Sequence, residues 1–220
     1  FADIMLKRAG LGGIEGKTVA LSGAGNVGCY LIENVNKMGG KCVTVADPFG
    51  FVYVPSGITE EHLEFLKPLW AVHRRPIKDF ATEYGFEYRE GRRAWEVPCD
   101  LACPTATQNE LNLEDAQRLK ANGCKAVVEG SNMSSTIDAI EFIQNSGILF
   151  SPGKASNAGG VAVSGMEMSQ NSERLSWSKE EVINQLKGVM AHIHDVCVEY
   201  GTKPDGSVNY VDGANIGGFV

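Results

Sequence analysis

The tightest constraint on this chain lies in the stretch "ALSGAGNVGCY", where Gly23, Gly25 and Gly28 fall within six positions directly behind the apolar run Lys17 to Leu21. A G-x-G-x-x-G run between a β-rich segment and a segment of helical spacing demands bare backbone at a strand-to-helix turn. Gly23 permits the tight turn, Gly25 lets backbone approach an anion, and Gly28 lets the helix press on the strand. The helix beginning at Asn26 and Val27 aims its unpaired N–H groups at the same point. Such a loop suits the pyrophosphate of a dinucleotide. An ordinary βα turn that binds nothing has the same form, and with 26 glycines in 220 residues the run alone does not decide.

Its context narrows the choice. An acid, Asp47, closes the next β-rich run, "KCVTVAD", nineteen residues past Gly28, where a carboxylate can take the ribose hydroxyls of NAD. A solvated strand-end aspartate is the plainer alternative. Arg74 and Arg75 pull the other way, because two guanidiniums near the adenosine end suit the 2′-phosphate of NADP. A solvated basic turn explains them equally well.

Beyond the loop, β-rich and helical segments alternate. "KTVALS", "KCVTVAD", "CDLACPTA", "CKAVVEG" and "ILFSPG" read as strands; Asn26–Met38, "NLEDAQRLKANG" and "SSTIDAIEFIQNSG" read as helices. "FVYVP" reads as a strand or an extended excursion, and "FEYREGRRAWEVP" as a polar loop or edge hairpin. "TEEHLEFLKPLWAVH" opens on Thr59 as a helix N-cap, Pro76 interrupts it, and "IKDFATEYG" resumes as a shorter helix. The alternation predicts a doubly wound, Rossmann-type α/β fold on a mostly parallel sheet, with extra C-terminal helices starting after Gly153, one of them at Ser178. The predicted layout is a helix end over residues 1–15, a dinucleotide-binding domain over 16–153 and a helical extension over 154–220. Both ends read as cut from a longer polypeptide.

Composition excludes several function classes. A net charge of −7 with thinly spread Lys and Arg argues against nucleic acid or an anionic membrane as partner. No apolar stretch approaches the ~18 residues that span a bilayer. Six cysteines scattered through apolar segments point to reduced thiols in a cytoplasmic protein. A metal site fails on spacing: Cys99 and Cys103 lack a second pair, and His192 and His194 face different sides of a helix.

Three further stretches place small polar residues and glycines at strand ends, the edge where ligands of open α/β sheets bind. In the first two, "CPTATQNEL" and "EGSNMSSTIDA", Thr105, Thr107, Gln108 and Asn132 suit a ribose or a carboxamide. Together with "SGAGNVG", "PGKASNAGGVAVSGMEMSQNSERLSW" and "YVDGANIGGF", these stretches resemble, in order and over nearly the whole chain, the cofactor-binding domain of the hexameric glutamate dehydrogenases.

The resemblance implies roles by position. Gly23, Gly25, Asn26, Val27 and Gly28 would hold the pyrophosphate, Asp47 and Pro48 would lie beside the adenosine ribose, and Ala106, Thr107, Gln108 and Asn132 would line the nicotinamide end. Asn157 falls in the "NAGG" turn at the mouth of the cleft. Val161 and Ser164 would contact the glutamate side chain, Ser164 through its hydroxyl; a small residue easing helix packing is the bland alternative. The implied reaction is reversible oxidative deamination of L-glutamate to 2-oxoglutarate and ammonia with NADP or NAD, leaning to NADP, in a homohexamer. The family's catalytic lysine and carboxylate belong to another domain, so no catalytic residue is assigned here. Lys154 in "SPGKAS" is a positioning or surface residue, and the chain alone should bind coenzyme without turnover. Pro48, His73 and Pro76 depart from what NADP-preferring relatives often carry. Leucine- or phenylalanine-type dehydrogenases are rivals within the same chemistry, disfavoured by the hydroxyl of Ser164. A non-catalytic dinucleotide sensor is the rival outside it.

Overall fold

Strand β1 (Thr18–Leu21) has parallel neighbours on both sides, β2 (Lys41–Cys42) and β6 (Leu101–Cys103), and the sheet continues through β7 (Ala126–Val128) to β8 (Leu149–Ser151). The computed structural model describes residues 1–220, the side chain of Ala71 excepted. From β1 the chain moves outward to β2, then crosses back to begin the other half of the sheet at β6. That reversal is where doubly wound sheets open a crevice for ligands.

Period-two alternation sorts the strand residues onto two faces. Val19, Leu21, Leu101, Cys103, Ala126 and Val128 join one buried cluster with Ile32 and Val35 of α2 (Asn26–Lys37). Ala20, Ala102, Val127 and Phe150 join a second with Ala116 and Leu119 of α5 (Leu113–Ala121) and Ala139 and Ile143 of α6 (Ile137–Ser146). Helices therefore cover both faces, as the alternation requires. All six cysteines are unpaired and buried. No helix among the described residues is long and apolar enough to cross a membrane.

One expected strand divides. "KCVTVAD" contributes β2 to the parallel sheet, but Thr44–Asp47 leaves it as β3 and pairs antiparallel with β4 (Gly50–Tyr53), which pairs with β5 (Glu87–Glu90). The cause is local. The Thr44 hydroxyl accepts the Leu21 N–H at 2.9 Å and donates to the Leu21 carbonyl at 2.9 Å, satisfying in one group the main chain that a continued strand would have paired. Past that interruption the parallel pairing resumes at one bridge only, Gly23 with Ala46, and the strand otherwise joins a three-stranded antiparallel sheet. "FVYVP" is thus a strand, and "FEYREGRRAWEVP" supplies an edge strand followed by the short 3-10 turn Ala94–Glu96.

The chain opens on α1 (Ala2–Arg8), and the later helix starts follow their caps. Thr59 caps α3 (Glu60–Ala71) in a reciprocal box with His62, and Ser178 caps α9 (Lys179–Gly201) in one with Glu181. Asn112 and Asp115 do the same for α5. After Pro76 comes α4 (Lys78–Tyr84), and after β8 the helices α7 (Gly153–Ser156), α8 (Gly159–Glu173), α9 and α10 (Tyr210–Gly217) follow without a strand. Gly213 lies so close to the Cys197 carbonyl that α10 packs against α9 backbone to backbone. Helix α8 has no buried residue.

Candidate dinucleotide-binding site

The ends of β1 and β6 are stitched together directly above the crevice. Thr105 Oγ1 accepts the Gly23 N–H at 2.9 Å, and Ser22 Oγ accepts the Thr105 N–H at 3.0 Å. A β-carbon on Gly28 would collide with the Gly23 carbonyl, so the first turn of α2 can reach β1 only with glycine there. At Gly25 a β-carbon would meet nothing within 4 Å, because this residue faces open space. Gly25 is also the N-cap of α2 and has no side chain to satisfy the helix. The N–H groups of Asn26, Val27 and Gly28 accordingly find no acceptor among the described residues. Unpaired donors around an open glycine fit a phosphate.

These residues form one wall of a cleft of about 690 Å³. Its other walls come from Ala46–Phe49, from Leu66, Leu69 and Trp70 of α3, from Arg75 and Ile77, from Gly91–Trp95, and from Thr105–Thr107 with Glu110. A volume of this size, apolar with a few polar groups, fits a nucleotide-sized ligand.

Asp47 lies in the cleft wall, but its carboxylate serves the fold. Oδ1 accepts the N–H groups of Phe49 at 2.9 Å and Gly50 at 3.2 Å, and Oδ2 accepts that of Ile77 at 3.0 Å. It closes the β3–β4 turn and fastens the segment after Pro76 to it. Pro48 sits exposed at the tip of that turn. Arg74 and Arg75 part company: Arg75 lines the cleft, whereas Arg74 lies over the Trp70 ring, 5.7 Å from its centroid, in a separate recess with Lys67, Gly25 and Asn26.

At the opposite end, Ala106 and Thr107 line the cleft and are held by Glu110, whose Oε1 accepts their N–H groups at 2.9 and 3.3 Å. Burial pushes the Glu110 carboxyl above its ordinary pKa, against those bonds and the nearby Arg93. Gln108 is exposed and outside the cleft lining. Asn132 and Asn157 meet each other instead, Asn157 Nδ2 donating to Asn132 Oδ1 at 2.8 Å. Val161 and Ser164 stand exposed on α8, away from the cleft lining, and the Ser164 hydroxyl donates back to the Gly160 carbonyl at 3.2 Å. Lys154 donates to Asn215 Oδ1, tying α7 to α10.

Several groups that build this site carry little signal of their role in the sequence. Glu129, at the end of β7, is buried and accepts the N–H groups of Ser135 and Gly153, both at 2.7 Å, thereby fixing the loops that carry Asn132 and Asn157. A glutamate closing an apolar strand before Gly130 was its only sequence signal. Arg92, Arg93 and Trp95 also line the cleft. They lie in "EGRRAWEVP", whose polarity reads as loop and conceals that it returns to the site.

The family model described as Glutamate/Leucine/Phenylalanine/Valine dehydrogenase matches residues 1–220. The glutamate dehydrogenase of Bacteroides thetaiotaomicron is 52% identical, over 98% of this chain and 48% of its own length. The NAD(P)-specific glutamate dehydrogenase of Xylanibacter ruminicola is 52% identical over 100% of this chain and 49% of its own. In structure, the chain superposes on the Plasmodium falciparum glutamate dehydrogenase with a TM-score of 0.93, at 40% identity, covering 98% of this chain and 46% of that one. The chain thus spans about half the length of the relatives it matches. With the glycine loop at the sheet reversal and a match that runs from Phe1 to Val220, this chain belongs to the Glu/Leu/Phe/Val dehydrogenase family.

Proposed function

We propose that this chain is the NAD(P)-binding domain of a cytoplasmic glutamate dehydrogenase, built as residues 16–153 with a helical extension over 154–220. The observation that carries the reading is the open Gly25 at the uncapped start of α2, set at the reversal between β1 and β6. Gly23, Gly25, Asn26, Val27 and Gly28 hold the pyrophosphate, and Ala106 and Thr107 bound the nicotinamide end. The bound nicotinamide supplies the hydride acceptor for glutamate oxidation and the donor for the reverse reaction. This chain's own residues bind and orient that ring; Val161 and Ser164 contribute to the glutamate pocket, and the proton-transferring groups come from a second domain. The whole enzyme acts on L-glutamate, 2-oxoglutarate and ammonia as a homohexamer.

The test has two parts. Calorimetric titration of the chain with NAD and NADP should show saturable binding, displaced by neither L-glutamate nor 2-oxoglutarate. The complete enzyme should reduce one of the two coenzymes with L-glutamate, and absence of any glutamate-dependent reduction overturns the reading. Ser164→Ala in that enzyme should raise KM for glutamate more than for coenzyme, the split that separates a substrate contact from a packing role.

A further inference from the structure

We propose that Glu110 is a positioning residue for the coenzyme: its carboxylate holds the Ala106–Thr107 turn at the nicotinamide end and, through Ser22 and Thr105, keeps that turn in register with the glycine loop at the pyrophosphate. The inference rests on the dinucleotide reading above.

Three donors from two strand ends converge on this one side chain. Its Oε1 accepts the N–H groups of Ala106 at 2.9 Å and Thr107 at 3.3 Å, and the Ser22 hydroxyl, at the end of β1, is a further donor to the carboxylate. Ser22 Oγ in turn accepts the Thr105 N–H at 3.0 Å, and Thr105 Oγ1 accepts the Gly23 N–H at 2.9 Å. A chain of hydrogen bonds thus runs from Glu110 to the first glycine of the loop. Ser22 and Thr105 are both buried, so water does not readily stand in for either link. A β-carbon on Gly23 would collide with Thr105, which shows how little slack the two strand ends have.

The main chain of Glu110 is fixed as well. Arg93 donates to the Glu110 carbonyl and pairs with the buried Asp115 of α5 at 3.1 Å, so the segment after β5, the helix start and the turn are tied together. Arg93 is the charged neighbour of the carboxylate. Arg92, Arg75 and Asp47 line the same cleft, and no histidine among the described residues does.

Only the ionised carboxylate accepts from every donor; the neutral acid carries an O–H of its own, which opposes one of the three. Burial pushes the Glu110 carboxyl above its ordinary pKa. On acidification the turn therefore loses its anchor before ordinary glutamates titrate at about 4.3.

A ligand bound at one end does not sense the register between the two loops, whereas one that spans both does. The experiment is accordingly calorimetric titration of the full chain with NAD and NADP, which span the site, and with 5′-AMP and 2′,5′-ADP, which fill the adenosine half. Glu110→Ala should weaken the tighter dinucleotide by about tenfold or more, the loss expected for hydrogen bonds to a charged group. The half-ligands should stay within about threefold, the scatter of surface substitutions. Glu110→Gln keeps an oxygen for the Ala106 and Thr107 N–H groups and should lose less. The affinity for NAD, which carries no titrating phosphate monoester, should fall as pH is lowered from neutral, and in Glu110→Gln that fall should vanish. Ser22→Ala should also weaken the dinucleotide, and combined with Glu110→Ala by less than the product of the two effects, because both cut one chain. Equal losses for dinucleotide and half-ligand, an unmoved dinucleotide affinity, or a pH profile that persists in Glu110→Gln overturn the positioning role while leaving the dinucleotide site standing. A wild type that binds none of the probes overturns both. Should Glu110→Ala not fold, the glutamine variant and the wild-type pH profile decide.

Discussion

Glu129 and Gly153 are joined across two loops: the buried carboxylate at the end of β7 accepts the N–H that opens α7 at 2.7 Å, while its other oxygen takes Ser135 N–H at 2.7 Å. Two acceptors are needed, and the isosteric amide has one. Glu129→Gln should therefore face one of the two donors with its own NH2 group and lower stability by about 1–3 kcal/mol. Urea unfolding with an unchanged m-value and a lower midpoint checks it. Coenzyme affinity should fall as well, since Asn132 and Asn157 lie on the loops released.

Gly28 and Gly25 make a matched pair of opposite effects. Gly28→Ala drives a methyl group into the Gly23 carbonyl and should cost about 1–3 kcal/mol of stability. Gly25→Ala meets no protein atom and should leave stability within about 0.5 kcal/mol. Dinucleotide affinity should nevertheless drop by about tenfold or more as the methyl displaces the phosphate from a charge-assisted hydrogen bond. Equal stability losses in the two variants would contradict the assignment of Gly25 to the ligand.

The cap of α3 should titrate. His62 Nδ1 accepts the Thr59 N–H at 3.0 Å, a role only the unprotonated ring can fill, and burial lowers its pKa below the usual histidine value. A base whose folded pKa is depressed adds stability that is full above the unfolded value of about 6.5 and is lost as pH falls through the folded one. Thermal midpoints should decline as pH drops below about 6.5. In His62→Gln, which keeps an acceptor at this position, that part of the decline should vanish. If it persists unchanged, the cap does not titrate.

Thr44→Val keeps the shape of the side chain and removes the hydroxyl, leaving the Leu21 N–H and carbonyl buried without their partner. The loss should be about 2 kcal/mol or more, with Thr44→Ser recovering most of it. Hydrogen exchange at Leu21 should accelerate in the valine variant and return to normal in the serine one.

Much of this molecule was legible because its signals are periodic or chemical. The succession of β-rich and helical segments announced a doubly wound parallel sheet, and Thr59 and Ser178 announced their helices. What stayed hidden depends on backbone direction. Arg74 and Arg75 are adjacent in sequence yet face different recesses, because Arg74 adopts a left-handed φ of 54° and Arg75, preceding Pro76, is steered toward extended backbone. Nothing in "HRRP" states the sign of that φ. The division of "KCVTVAD" was likewise invisible, since its cause is a hydroxyl acting on a residue 23 positions away. Glu129 and Arg92 escaped notice for a related reason: their partners lie on segments that only the tertiary fold brings near.

The departure of β3 at Thr44 has a consequence for how such a chain can diversify. Because one side chain interrupts the pairing beside β1, the hairpin beyond it is joined to the parallel sheet by a single bridge, Gly23 with Ala46, and by the burial of Val45 and Val52 in the same core. Change in this hairpin is therefore free only at its outward residues, Pro48 and Phe49 at the turn, because Val45 and Val52 must go on filling the core beneath the phosphate-holding loop.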